Sequence, residues 1–161
     1  MTIAVDQERL SAEIEHLAQI SDTPYPSVTR ILFTDADMRG RAWLRERFEE
    51  AGLVVRVDAV GNVFARWVGE EPDAAPVATG SHVDAIPDAG RFDGVVGVLG
   101  GLEAIRALQA AGVRPRRSIE LIMFTAEEPT RFGLGCLGSR VLAGVVTEER
   151  LAALRDADGL T

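Results

Sequence analysis

Cysteine is nearly missing from this chain: Cys136 is the only one in 161 residues. No internal disulfide can form, so the fold must rest on its core, and the chain suits a reducing compartment. Positive charge is also short, with 17 basic against 25 acidic residues and a net charge of −8. That balance excludes the basic patches by which nucleic acid or an anionic membrane would be held. The one basic cluster, Arg114-Pro115-Arg116-Arg117, reads as a solvated loop ahead of a strand. No apolar run approaches the ~18 residues that a membrane-spanning helix needs. The opening MTIAVDQERL has no basic segment followed by an apolar one, as an export signal would. A cytoplasmic protein is therefore expected.

What is present is ordinary for one globular domain: 47% hydrophobic and 26% charged residues, with no internal repeat. From Asp6 to Ile20, Leu10, Ile14 and Leu17 share one helical face, and Thr23-Pro24-Tyr25-Pro26 forbids continuation. A second helix is predicted from Thr34, with Asp37 in a short capping arrangement, to Gly52, with Leu44 and Phe48 facing the core. His16 reads as a surface histidine with no task. The run LVVRVDAVGNVFARWVG reads as a β-hairpin turning around Gly61-Asn62, and a polar loop follows from Gly69.

A strand over Val77 to His82, a helix from Gly94 to Ala111 and a largely apolar run over Ile119 to Thr125, typical of a strand buried on both faces, follow. Strand, helix, strand implies a parallel pair, and hence an α/β fold with a mixed sheet and flanking helices. Short helices are expected around Val141 and from Thr147 to Arg155. Ligands gather at the carboxyl ends of strands in open α/β sheets, and those ends here are His82 and Glu127.

The residues at these two ends suggest metal chemistry. In GSHVDAIPDAGRFDG, His82 and Asp84 point the same way while the backbone is extended, so the Asp84 carboxylate can hold the imidazole and aim its other nitrogen outward. Asp93 is expected at the N-cap of the following helix. After the second strand, Glu127 and Glu128 are adjacent carboxylates; one can bind a cation while its neighbour accepts a proton. Each feature alone has a plainer reading: a core histidine, a helix cap, an acidic first turn. Their convergence on one sheet edge is what those readings leave unexplained.

The segments GSHVDAIPDAGRFDGVVGVLGGLEAIRAL and IELIMFTAEEPTRFGLGCLGSRVLAG resemble the catalytic core of the dinuclear metallopeptidase and amidohydrolase superfamily. Within it they resemble the branch of ureidoglycolate and allantoate amidohydrolases and N-carbamoyl-L-amino-acid hydrolases. VDAIP and EEPTRFG are closest in wording to the ureidoglycolate enzymes. The resemblance implies a zinc-exopeptidase-like catalytic domain in three layers. It also implies His82 and Glu128 as ligands of two different metals, Asp93 as the bridge, Glu127 as general base and Asp84 as the group that orients His82. The implied cofactors are two zinc or manganese ions, which activate water for attack on an amide or ureido carbonyl. The implied substrate is a small molecule, and the complete enzyme is expected to be a homodimer. Arg131 could contact an anionic substrate or pair with Glu127 and Glu128.

Two departures qualify this. The resemblance calls for two further histidines, and the only other one is His16, ahead of every motif. The later strands and the lid domain are also missing, so residues 1–161 are expected to be the amino-terminal portion of a catalytic domain, binding metal weakly and inactive alone. Within the superfamily the alternative substrate class is peptides. From other classes, Gly133-Leu134-Gly135-Cys136-Leu137-Gly138 matches the dinucleotide fingerprint G-x-G-x-x-G, although seven residues separate it from its strand. A non-catalytic remnant is a third reading. Cys136 is expected to be a quiet thiol, and the glycines around it to permit close packing near the metal site.

Overall fold

The structure, a computed structural model, describes residues 3–161. In chain order the elements are α1 (Gln7–Gln19), β1 (Val28–Arg30), α2 (Asp35–Glu50), β2 (Val54–Val57), β3 (Val63–Trp67), β4 (Val77–Ser81) and β5 (Ala85–Ala89). Then follow α3 (Val95–Ala110), β6 (Ile119–Met123), α4 (Leu137–Leu142) and α5 (Glu148–Ala152). Local chemistry sets several boundaries. The Asp6 carboxylate accepts the Arg9 N–H at the start of α1, the Thr34 hydroxyl accepts the Asp37 N–H at the start of α2, and Thr147 does the same for α5. Gly52, just past α2, takes the left-handed φ of 73° that ends the helix.

The main sheet has the order β2-β3-β6-β4. The expected hairpin pairs β2 with β3, and β3 pairs antiparallel with β6. The parallel pair is also found, in register from Val77↔Ile119 to Ser81↔Met123, with α3 as its crossover. Val63, Ala65, Leu121 and Met123 face one side and pack with Leu44, Phe48, Leu99 and Leu102 from α2 and α3. The helix α3 lies close: a Cβ at Gly101 would stand 2.7 Å from Leu121 Cδ1, so glycine sets that distance. Phe64 faces the other side, under the Arg56 guanidinium at 3.5 Å from the ring centroid. The helix α1 is pinned to α3 by Glu103, which is 1% exposed and accepts from the Asp6 N–H and from Arg9.

One feature of the fold was not anticipated. β1 and β5 form a separate antiparallel pair, Val28↔Ala89 and Arg30↔Ala85. The two strands are short, β5 contains Pro87, and the partners lie far apart in sequence, so no local pattern marks them. The pair matters because β5 begins immediately after Asp84. Among the described residues no helix is long and apolar enough to cross a membrane.

Candidate functional site

The chain leaves β4 at Ser81, and the next three residues turn across the carboxyl end of the sheet. Val83 is wholly buried, which places His82 at 6% exposure and Asp84 at 0% on either side of it. The His82 Nδ1 stands 2.9 Å from the backbone carbonyl of Asp84, and 3.6 Å from its nearer carboxylate oxygen. The imidazole is thus fixed first by the main chain of Asp84, a correction in detail to the carboxylate contact expected from spacing. The carboxylate is engaged elsewhere, accepting the N–H groups of Glu127 at 3.3 Å and Glu128 at 2.9 Å. It ties the end of β4 to the turn after β6, where Ala126 takes a left-handed φ of 51°.

This arrangement leaves His82 Nε2 facing two acids, Asp93 Oδ1 at 3.7 Å and Glu127 Oε2 at 3.5 Å. Burial by itself would lower the His82 pKa, but the carboxylate and carbonyl of Asp84 and the charge of Glu127 outweigh it and raise it to about 9. Partial burial and the neighbouring charge of Glu127 push the Glu128 carboxyl above its ordinary value. Asp93 is not the helix cap. Gly94 takes that position at φ 64° with no side-chain cap bond, and the Asp93 side chain, 70% exposed, is turned toward His82. The reason is steric: a Cβ at residue 94 would stand 2.5 Å from His82 Nε2, so only glycine can carry the chain over the ring.

Distances of 3.5 and 3.7 Å are too long for hydrogen bonds, yet they suit donors that share a cation. Two donors each about 2.1 Å from one tetrahedral ion stand about 3.4 Å apart. An imidazole fixed through Nδ1, with acids around Nε2, is a donor set of the kind that fits zinc or manganese. Among the described residues, however, no three histidine, cysteine or acidic side chains converge as a ready-made site. The fit is that of a partial donor set.

The model of Peptidase family M28 matches residues 62–159, which include both halves of this constellation. The chain belongs to peptidase family M28. It is 55% identical over 152 residues to a ureidoglycolate hydrolase of Oryza sativa subsp. japonica, covering 94% of this chain and 31% of that protein. It is 39% identical to an N-carbamoyl-L-amino acid amidohydrolase of Geobacillus stearothermophilus, covering 98% of this chain and 38% of the relative. A solved hydantoinase/carbamoylase family amidase from Burkholderia ambifaria superposes with a TM-score of 0.96 at 43% identity, over 100% of this chain and 40% of that one. The mixed α/β fold expected from the sequence is the fold of these proteins, and the chain spans about a third of the length of the curated relatives it matches.

The remaining candidates in this M28 chain fall outside the cluster or behind it. Arg131 does not pair with Glu127 or Glu128; its guanidinium donates to Asp156 at 3.1 Å and to the Leu32 carbonyl at 3.0 Å, holding the C-terminal loop. Cys136 lies behind Glu127: its thiol donates to Glu127 Oε1 at 3.3 Å, and that bond, more than burial, raises its pKa. The G-x-G-x-x-G run leads into a helix of only six residues, α4, whose first two residues are the last two of the run, and its last glycine packs against Asn62 and Thr125, where a side chain would collide. His16 stacks on Trp43 at 4.9 Å. Sequence reading took Asn62 as a turn residue only. It is fully buried, donating to Asp58 and the Gly138 carbonyl and accepting the Thr125 N–H at 2.9 Å, so it braces the turn that carries Glu127. A buried polar residue at a strand start was the missed signal.

Proposed function

We propose that this chain carries part of the active site of a metal-dependent amidohydrolase that cleaves linear C–N bonds in small ureido or carbamoyl compounds, with ureidoglycolate as the preferred substrate. The observation that supports it most is the aim of His82 Nε2 between Asp93 and Glu127 while Nδ1 is held by Asp84. His82, Asp93 and Glu128 would hold divalent metal, zinc or manganese, two ions in the complete site. Bound there, the metal supplies Lewis acidity that polarises a carbonyl and makes water acidic near neutral pH.

The chain's own residues then have distinct tasks. Glu127 Oε1 already accepts the Cys136 thiol proton, which leaves Oε2, on the His82 side, as the atom that takes a proton from water and returns it to the leaving nitrogen. Asp84 keeps both strand ends in register through its carbonyl and its carboxylate. The identity of 55% to a ureidoglycolate hydrolase, against 39% to a carbamoyl-amino-acid enzyme, supports the substrate preference. The match to a peptidase family favours exopeptidase action as the second reading. We place the protein in the cytoplasm and read its full-length form as a homodimer.

The test is turnover by the purified protein at its natural length, read as ammonia released from ureidoglycolate, allantoate and N-carbamoyl amino acids and as free amino acids released from dipeptides. Turnover of ureidoglycolate that Glu127→Gln lowers by about 100-fold or more supports the reading. Turnover of dipeptides alone would replace it with the exopeptidase.

A further inference from the structure

Arg30 is the largest fully buried side chain among the described residues, at 1% exposure, and no part of the proposed reaction uses it. It comes from β1, the strand that local patterns did not reveal, and its backbone is paired with Ala85, the residue after Asp84. Its Nε donates at 2.8 Å to the carbonyl of Val83, the residue between His82 and the Asp84 that fixes its ring. Its Nη1 donates at 2.8 Å to the carbonyls of Leu17 and Ile20, at the end of α1. Gly40 makes room for the stem: a Cβ there would stand 3.2 Å from Arg30 Cδ.

A buried guanidinium is costly unless it has a task or a partner. Desolvation pushes Arg30 down to about 10, against the pull of Asp37, Asp84 and Asp22, so it stays charged at neutral pH. Its bonds join three segments. The end of α1, the strand β1 and the turn His82-Val83-Asp84 meet on one rigid, planar donor group. That turn has no other side-chain tether to this part of the molecule among the hydrogen bonds of the described residues.

We infer that Arg30 is a positioning residue for the metal-binding turn: through the Val83 carbonyl it fixes the peptide on which the direction of His82 and the register of Asp84 depend. This rests on the reading of the site as a metal centre. A planar fork with a donor on Nε is required, which lysine cannot reproduce. Arg30→Lys therefore keeps the charge and can still reach the α1 carbonyls, but loses the Val83 bond. Arg30→Met loses both.

The test is calorimetric titration of Mn²⁺ and Zn²⁺ into chelator-stripped protein of natural length, alongside melting curves. Phe48→Leu, in the helix-side core away from the site, serves as the control for a general loss of stability. Arg30→Lys and Arg30→Met are expected to bind metal about tenfold or more weakly, as loss of a group that orients a ligand does. The Phe48→Leu protein, with a comparable fall in melting temperature, is expected to bind as the unaltered protein does. If Arg30→Met does not fold, Arg30→Lys carries the comparison. Unaltered affinity in Arg30→Lys, or a loss no greater than in the Phe48→Leu control, overturns the inference. An unaltered protein that binds no metal overturns the metal reading of the site and this inference with it.

Discussion

Gly94 has no side chain because the ring of His82 occupies the space that one would fill. Gly94→Ala must displace either the imidazole or the start of α3, and the left-handed φ of 64° adds strain of about 1 kcal/mol. The expected outcome is a protein that folds but binds Mn²⁺ at least about tenfold more weakly, read by titration. Asp37 behaves differently. It is fully buried, one oxygen accepting from the Phe33 N–H and from Arg41, the other without a partner. Burial raises its pKa, and the Arg41 guanidinium only partly offsets this. The folded state therefore holds this proton at pH values where the unfolded chain, with an ordinary pKa of about 3.9, has lost it. The contribution of Asp37 to stability falls as pH rises through that window. The unfolding free energy of the native protein minus that of Asp37→Asn should shrink from about pH 4 upward, as urea titrations at several pH values would show.

At the scale of elements, helices α1, α2 and α3 were legible because each carries its own periodic apolar face and a recognisable stop, Pro24 or Gly52 among them. The hairpin and the parallel pair were legible for the same reason: their residues alternate or run apolar. The pair β1 and β5 was not, because its stability comes from partners more than 50 residues away and not from its own composition. The docking of α1 also depends on a distant group, Glu103. Glu103→Ala should lower the unfolding free energy by about 1–3 kcal/mol, since it leaves the Asp6 N–H and one side of Arg9 without their acceptor. Denaturant titration would measure this, and metal affinity should be unchanged, because Glu103 holds the start of α1 whereas Arg30 holds its end.

For the whole molecule, His82 faces Asp93 and Glu127 where β4 and β6 end, with Glu128 alongside, a partial donor set whose negative charge favours a cation. Residues 1–161 alone should be stabilised by Mn²⁺ or Zn²⁺. With free ion at a hundred times the dissociation constant the gain is about 2.7 kcal/mol, seen as a higher melting temperature. His82→Ala should abolish that gain. Melting that no divalent metal alters would point to a fold kept for structure and not for catalysis.

The sequence by itself determined the three long helices, the hairpin, the parallel strand pair and the identity of the residues at its two ends, because periodicity and spacing are local properties of a chain. It also carried the residues on which the proposed metal site rests, in the adjacency of Glu127 and Glu128 and in the short path from His82 to Asp93. Only the tertiary structure decided which atom of Asp84 holds His82, that Gly94 and not Asp93 begins α3, that Arg131 belongs to Asp156, and that Arg30 lies beneath the turn. Those outcomes depend on direction and distance between remote segments, and a hydrogen bond is settled by where its donor and acceptor come to rest in space.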